Sequence, residues 1–254
     1  MKKVFGRTPS LYDVPTHYCG GCGHGIIHRL LCEVIDEFGI RERTVGIAPV
    51  GCAVLGYDYW NFDVSEAAHG RTPAVATGMK RARPGNIVFS YQGDGDLAAI
   101  GTAEIIHAAN RGEKITVIFA NNTVYGMTGG QMAPTTIVGQ KTLTSPLGRK
   151  QEDFGQPIKV CELLSQFNGV KYAARTAVHT PLDVIKTKKA LKKAFQVQMD
   201  NLGFSIVEVL SQCPTYWGLD AVHAVDYVKN VLIPSFPLGV FKDDTHKSNV
   251  ELNR

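Results

Sequence analysis

The sequence predicts an α/β fold with a mostly parallel sheet flanked by helices. Short apolar runs that suit buried strands alternate along the chain with segments whose apolar residues recur at helical spacing. An apolar share of 44% and a charged share of 20% are typical of a globular chain and exclude intrinsic disorder. Because 254 residues fit one large α/β domain, we expect residues 1–254 to form a single domain.

Helix signals follow one another along the chain. An apolar stripe runs from Ile26 to Phe38 and ends at Gly39, where a left-handed cap is expected. Thr72 and Pro73 begin a second helix, as its N-cap and its first-turn residue. Further helices are predicted over residues 97–111, 158–167, 181–200 and 220–231.

Strands are predicted where short apolar runs are bounded by turn residues, over residues 44–48, 87–91, 115–120, 170–178 and 204–210. Residues 123–157 show neither the helical nor the strand period, and a loop of that length in a compact domain is usually functional. The tail from about residue 234 is polar and irregular. We expect it either to wrap a neighbouring subunit or to be disordered.

Charge and hydropathy exclude several functions. With 27 basic and 23 acidic residues, the net charge of +4 is too small to indicate a nucleic-acid-binding face. The chain has no run of 18 apolar residues that would predict a membrane helix. Its basic start, residues 1–7, lacks the apolar stretch of a secretory signal. The expectation is a cytoplasmic protein with no nucleic-acid partner and no membrane partner.

The strongest functional pattern lies at two predicted strand ends. Residues 93–96 (GDGD) follow one strand, and Asn121 and Asn122 follow the next. Glycines let the backbone approach a ligand closely, and the N-terminus of the following helix favours a bound diphosphate. Asp94 and the amide oxygen of Asn122 suit Mg²⁺, which prefers oxygen ligands. The alternative is a Gly-Asp turn beside an Asn-rich loop, but the combined spacing favours a diphosphate–Mg²⁺ site.

The six cysteines fall into two groups. Cys32 and Cys161 lie within apolar helical patterns and are predicted to be core residues. Four others lie in loops or at element ends and favour metal or redox chemistry over disulfides: Cys19, Cys22, Cys52 and Cys213. Four thiolates suit an iron–sulfur cluster or structural zinc, and their spacing alone leaves both possibilities open.

Several further motifs occur together in one order. They are YCGGCGH at residues 18–24, PVGC at 49–52, AHGR at 68–71, GDGD at 93–96, NN at 121–122 and YGMTGGQ at 125–131. Through these motifs the chain, roughly from residue 18 to residue 240, resembles the β subunit of 2-oxoacid:ferredoxin oxidoreductases. The resemblance implies a thiamine diphosphate-binding fold that holds thiamine diphosphate, Mg²⁺ and a [4Fe-4S] cluster.

The resemblance also implies a role for individual residues. The implied cluster ligands are Cys19, Cys22, Cys52 and Cys213, and the implied Mg²⁺ ligands are Asp94, Asn122 and the carbonyl of Val124. The implied cofactor contacts are Gly51, Cys52, His69, Gly93, Asp94, Gly95, Asp96, Asn122, Tyr125, Gly126, Met127 and Thr128. Among these, Thr128 is expected to bond the diphosphate.

Two polar residues before a predicted helix, His69 and Arg71, are the expected catalytic residues. The alternatives are a loop histidine and an arginine that braces the next helix. Glu66 and Glu104 are interpreted as structural. The resemblance implies that the glutamate that activates thiamine comes from a pyrimidine-binding domain in a separate α subunit.

The implied activity is the coenzyme A-dependent oxidative decarboxylation of a 2-oxoacid. Electrons would pass one at a time to the cluster and then to ferredoxin. The α subunit and further γ and ferredoxin-like δ subunits are expected partners, so the chain alone is predicted to be inactive. The alternatives are a non-redox thiamine diphosphate-dependent decarboxylase or synthase half, and a zinc-stapled binding module.

The substrate hypothesis depends on the 125–131 motif. Pyruvate-type relatives tend to have asparagine where Met127 stands, and several 2-oxoglutarate-type relatives have lysine where Gly129 stands. Uncharged groups at both positions favour a branched-chain 2-oxoacid, with 2-oxoglutarate second.

The predicted helix 181–200 carries a set of lysines that suits a solvated face or, alternatively, docking of an acidic ferredoxin: Lys186, Lys188, Lys189, Lys192 and Lys193.

Overall fold

The computed structural model describes residues 6–245. The start of the chain, for which no secretory signal was predicted, lies outside the described residues over 1–5, and the predicted polar tail lies outside them over 246–254. The strands of this part are β1 (Thr44–Ala48), β2 (Asp63–Glu66), β3 (Ile87–Gly93), β4 (Thr116–Asn121), β5 (Val124–Tyr125), β6 (Gln131–Met132), β7 (Val170–Ala177), β8 (Phe204–Leu210) and β9 (Gly239–Asp243). Seven of them form one sheet in the order β2-β1-β3-β4-β8-β7-β9, and β5 pairs with β6 in a small hairpin.

Pairing within the seven-stranded sheet is parallel, except that β9 runs antiparallel to β7. This confirms the predicted mostly parallel sheet. The sequence did not predict two edge strands, β2 and β9. Both are partly exposed, so they lack the apolar run that identifies the central strands. The prediction of an irregular tail is therefore wrong for residues 239–243, which pair with this chain's own sheet.

The helices flank this sheet. They are α1 (His24–Phe38), α2 (Gly56–Tyr59), α3 (Thr72–Ala82), α4 (Thr102–Arg111), α5 (Gln151–Phe154), α6 (Val160–Ser165), α7 (Pro181–Met199), α8 (Pro214–Trp217), α9 (Ala221–Tyr227) and α10 (Ile233–Ser235). A 3₁₀ turn spans Arg41–Arg43, and π-helical turns span Gly95–Ile100 and Val228–Leu232. In the described residues, no helix is both long and apolar enough to cross a membrane.

Two helix starts differ from prediction for a physical reason. Arg71 is the N-cap of α3, and Thr72 is its first residue, because the Thr72 hydroxyl donates to Asp96 Oδ2 at 2.8 Å instead of capping the helix. The helix predicted over 97–111 starts with the π-helical turn at Gly95–Ile100 and becomes regular only at Thr102. Wide turns of this kind occur often at functional sites.

Apolar layers cover both faces of the sheet, since successive strand residues point to opposite sides. Phe89 and Tyr91 pack with residues of α1 and α7 on one face, whereas Val88 and Phe119 pack with residues of α4 on the other. The predicted stripe of α1 is buried except at its ends, where Ile26 is 37% exposed.

The predicted core cysteines, Cys32 and Cys161, are both fully buried, which confirms that prediction.

The lysine-rich helix α7 is partly tied to α1. Lys188 Nζ lies 2.7 Å from Glu33 and 2.6 Å from Glu37, and Lys192 Nζ lies 3.0 Å from Glu37. These two lysines are still partly exposed, so the predicted solvated face stays a prediction, and in addition they join α7 to α1. Docking of an acidic partner on the remaining lysines stays a prediction.

Parallel pairing brings the predicted site residues to one edge. Gly93 at the end of β3 pairs with Ala120, and Asn121 at the end of β4 pairs with Leu210. The carboxyl ends of three neighbouring strands therefore lie together, where open α/β sheets bind ligands.

Candidate active site

A cavity opens at these strand ends, and both Asp94 and Asn122 line it. Only 4% of Asp94 is exposed. One of its carboxylate oxygens accepts a hydrogen bond from the Gly95 N–H at 3.1 Å, and the other accepts one from the Thr135 hydroxyl at 3.0 Å. Burial raises the pKa of Asp94 to about 7, because the charged carboxylate has lost its water. A cation in this cavity would favour the ionised form.

The turn after β4 has a constrained backbone. Thr123 has a φ of 63°, which is unusual for a β-branched residue. The Asn122 Oδ1 accepts the Val124 N–H at 3.2 Å, and the carbonyl of Asn122 accepts the indole N–H of Trp217 at 3.0 Å. Asn122 and Val124 both line the strand-end cavity, as Asp94 does, so the three residues expected to bind Mg²⁺ lie around one cavity.

Asp96 is the centre of a buried hydrogen-bond network. Its Oδ1 lies 2.8 Å from His69 Nδ1 and accepts the Gly70 N–H at 2.9 Å. Its Oδ2 accepts from Thr72 at 2.8 Å and from Gln92 at 2.7 Å. With both oxygens occupied, Asp96 holds the His69 loop against the cavity rather than reaching out to a ligand. His69 itself lines the cavity.

The expected catalytic residue Arg71 lies elsewhere. Its guanidinium forms an ion pair with Glu104 on α4, which braces that helix against the start of α3. Neither residue lines the strand-end cavity. Glu66 lies on the exposed edge strand β2 and does not line the cavity either. The structure therefore brings His69 to the cavity but not Arg71.

The hairpin segment forms one wall of the cavity. Tyr125, Gly126, Met127 and Thr128 all line it, as do Gly51, Cys52, Gly93, Gly95 and Asp96. The Thr128 hydroxyl, expected to bond a diphosphate, donates to Gln131 at 2.5 Å. Met127 is 55% exposed and stands at the mouth.

A second cavity, of about 300 Å³, adjoins the first. All four predicted metal-binding thiols line it: Cys19, Cys22, Cys52 and Cys213. Burial raises the pKa of Cys52 and Cys213 to about 12, so these two thiols are neutral at pH 7 unless a cation binds them. In residues 6–245, no group of three or more His, Cys, Asp or Glu side chains converges closely enough to hold a single metal ion.

The two cavities share a wall. His24, Cys52, Asn122, Gly126 and Met127 line both of them. A Cβ atom on Gly126 would lie 3.1 Å from the Cys52 sulfur and 3.6 Å from the Cys213 sulfur. Glycine thus lets the hairpin backbone pass directly beside two thiols.

Several residues that were not predicted as site residues support the cavity. Arg149 is only 5% exposed, and its guanidinium donates to six backbone carbonyls. These bonds hold in place the segment that contains Thr135, whose hydroxyl donates to Asp94. The buried His24 Nδ1 lies 2.7 Å from the Tyr91 hydroxyl, and burial lowers its pKa to about 4. An arginine in a polar loop gives no local signal of burial, whereas His24 is the last residue of the YCGGCGH motif and could have been found through it.

Fold and cavities together define a thiamine pyrophosphate-binding domain. The family described as the C-terminal TPP-binding domain of thiamine pyrophosphate enzymes matches residues 50–209 of the chain. Within that class, the chain belongs to the family of 2-oxoacid:ferredoxin oxidoreductase subunits, as the following relatives show.

Relatives of this family match nearly the whole chain. A ketoisovalerate oxidoreductase subunit (VorA) of Methanothermobacter marburgensis is 49% identical over 243 residues, covering 96% of this chain and 51% of the relative. A 2-oxoglutarate synthase subunit (KorB) of Methanocaldococcus jannaschii is 38% identical over 206 residues, covering 81% of this chain and 72% of the relative. The chain spans about half the length of the VorA relatives.

A solved structure has the same fold. The 2-oxoglutarate:ferredoxin oxidoreductase from Magnetococcus marinus, with 2-oxoglutarate, coenzyme A and succinyl-CoA bound, superimposes with a TM-score of 0.76. The match covers 95% of this chain and 86% of that chain, at 25% sequence identity.

Proposed function

We propose that this chain is the β subunit of a 2-oxoacid:ferredoxin oxidoreductase and binds thiamine diphosphate with Mg²⁺ and a [4Fe-4S] cluster. The complete enzyme would oxidatively decarboxylate a 2-oxoacid, form an acyl-coenzyme A and pass electrons to ferredoxin. One observation carries the proposal: a buried carboxylate cavity and a four-thiol cavity share a wall. That adjacency suits electron transfer between a cofactor and a cluster, and a non-redox decarboxylase would have no use for it.

The strand-end cavity fits a magnesium diphosphate. The buried Asp94 carboxylate accepts hydrogen bonds from the Thr135 hydroxyl and the Gly95 N–H. Burial is the main cause of its raised pKa, and no cationic side chain in the described part of the chain contributes to it. Asp94, Asn122 and the Val124 carbonyl would hold Mg²⁺, with the remaining oxygens coming from phosphate and water. When bound, thiamine diphosphate supplies the electron sink that decarboxylation of a 2-oxoacid requires.

The four-thiol cavity supplies the set of four cysteines that a [4Fe-4S] cluster needs. Structural zinc needs its ligands within about 2.3 Å of a single ion. In a [4Fe-4S] cluster each thiolate binds a different iron, so the sulfurs stay further apart. Four thiols around one cavity, directly beside the strand-end cavity, support the cluster.

This chain's own groups prepare the site for a substrate. The His69 Nδ1 is engaged with Asp96, so the other ring nitrogen remains to exchange a proton with a bound molecule. Apolar side chains, including Val50 and Ile100, line the cavity beside it and limit the access of water. Among the residues that the structure describes, His69 is thus the one best placed to act on a substrate.

A partner must complete the site. Neither Glu66 nor Glu104 reaches the strand-end cavity, so the activating glutamate is proposed to come from an α subunit, with γ and ferredoxin-like δ subunits and ferredoxin as further partners. We expect no turnover from the purified chain given 2-oxoacid, coenzyme A, cofactors and ferredoxin. Addition of the co-expressed partner subunits should start ferredoxin reduction. Turnover by the chain alone would contradict the proposal.

The cavity lining favours a branched-chain substrate. Met127 and Ile100 are apolar and more than half exposed at the mouth, and no lysine or arginine from the described part of the chain lines the cavity. A second substrate carboxylate would therefore be desolvated without a partner. In the assembled complex, we expect kcat/KM for 2-oxoisovalerate to exceed that for 2-oxoglutarate by about 10-fold or more. Equal values, or a preference for 2-oxoglutarate, would refute this assignment.

A further inference from the structure

Two charged residues lie side by side on neighbouring strands of the sheet. Arg175 of β7 and Glu208 of β8 are register partners, and their side chains are fully buried. The Arg175 Nε lies 2.9 Å from Glu208 Oε2, and the guanidinium also pairs with Glu162 toward the surface. An ion pair this deep is costly to build and is weak evidence for stability by itself. A role beyond packing would explain why this sheet contains it.

The second oxygen of Glu208 points to the candidate site. Asn121, which ends the neighbouring strand β4, donates its Nδ2 to Glu208 Oε1 at 2.8 Å. The Asn121 Oδ1 in turn accepts the Thr123 N–H at 3.1 Å. A continuous series of contacts thus runs from Arg175 through Glu208 and Asn121 to the turn that carries Asn122.

These contacts determine the orientation of the Asn121 amide. A carboxylate can only accept hydrogen bonds, so it selects the Nδ2 side of the amide. The Oδ1 side is then left for the Thr123 N–H. That bond stabilises the left-handed conformation of Thr123, which a β-branched residue otherwise avoids. Because Thr123 directly follows Asn122, the conformation of this turn sets the direction of the Asn122 side chain.

We propose that Glu208 is a positioning residue that orients Asn121 and thereby preorganises the Asn121–Thr123 turn for the magnesium diphosphate. The proposal rests on the function proposed above. Glu208 is suited to this task because one of its oxygens forms an ion pair with Arg175, without hydrogen-bond geometry, and the other accepts a hydrogen bond from Asn121. A glutamine has only one oxygen, so one of the two donors would face its NH₂ group.

The test uses the full chain with a Trp60→Phe background, which leaves Trp217 as the only tryptophan of the chain. The indole of Trp217 donates to the Asn122 carbonyl, so its fluorescence reports on the turn. Thiamine diphosphate with Mg²⁺ is the probe. We expect Glu208→Gln to weaken probe binding about 10-fold. In the assembled complex, the half-saturating cofactor concentration should rise while kcat at saturation stays near that of the parent.

A swapped pair distinguishes orientation from general packing. Asn121→Asp alone places two buried carboxylates together and should weaken binding at least as much as Glu208→Gln. Combining both changes lets the introduced glutamine donate to one oxygen of the introduced aspartate while the other oxygen accepts the Thr123 N–H. Binding should then return to within about 3-fold of the parent. The matched control is Glu162→Gln, which alters the other partner of Arg175 and should leave binding unchanged.

Each outcome bears on a separate claim. Parent-like binding by Glu208→Gln, or no recovery in the folded double variant, overturns the positioning role. If Glu208→Gln does not fold, Asn121→Ala decides the matter, because it breaks the same contacts without exposing Arg175, and its normal binding would also overturn the role. Failure of the parent chain and the parent complex to bind the probe would instead count against the proposed function.

Discussion

Asp94→Asn is expected to reduce binding of thiamine diphosphate with Mg²⁺ by more than about 100-fold, equivalent to roughly 2.7 kcal/mol or more. The change removes a buried carboxylate from the strand-end cavity and replaces an oxygen ligand by an NH₂ group. Calorimetric titration of the full chain with Mg²⁺ and thiamine diphosphate measures the loss. The matched control is Asp153→Asn, an exposed aspartate in α5, which should bind as the parent does.

The same substitution should not destabilise the metal-free protein. Burial raises the pKa of Asp94 from 3.8 to about 7, so the folded chain holds the proton more tightly than the unfolded chain. The metal-free parent should therefore lose stability as pH rises from about 4 to about 7, by at most about 4 kcal/mol. Asp94→Asn lacks this dependence and should be at least as stable at pH 8, a value about one unit above that pKa. Thermal unfolding at low and high pH tests this, and normal cofactor binding by the variant would refute the metal role.

Cys213→Ser is expected to abolish the iron–sulfur cluster while leaving cofactor binding within a few-fold of the parent. Serine keeps the shape of the side chain but is a poor ligand for iron, and Cys213 lines only the four-thiol cavity. After anaerobic reconstitution with iron and sulfide, the parent should absorb near about 400 nm and bleach on reduction. The variant should lack this absorption, and the assembled complex that contains it should fail to reduce ferredoxin.

The control for this experiment is Cys32→Ser. Cys32 is buried in α1, and its thiol donates to the Ser10 carbonyl, a bond that a hydroxyl can also make. Its spectrum should match that of the parent. A colourless parent that retains zinc instead of iron would show that the four thiols form a different metal site, and a brown Cys213→Ser protein would remove Cys213 from the ligand set.

The sequence predicted the location of site residues best where the residue type and its position at a strand end together indicate one role. Two glycines around Asp94 at a strand end and paired asparagines after the next strand indicated the strand-end site without any knowledge of distances. It was less successful where a residue's role depends on its neighbours. Arg71 has the same local sequence signal as His69, yet Arg71 pairs with Glu104 and only His69 reaches the cavity.

The sequence by itself determined the parallel sheet, the strand ends that carry the site and the division of the cysteines, because periodicity, glycine and strand-end polar groups act over short distances. Only the tertiary structure decided that two cavities share a wall, that Thr135, on a segment held by Arg149, bonds Asp94, and that Glu208 contacts Asn121. These residues are separated by many positions along the chain and meet only after folding. Their roles depend on the residues that surround them after folding. The local sequence around a polar side chain does not indicate which residues those will be.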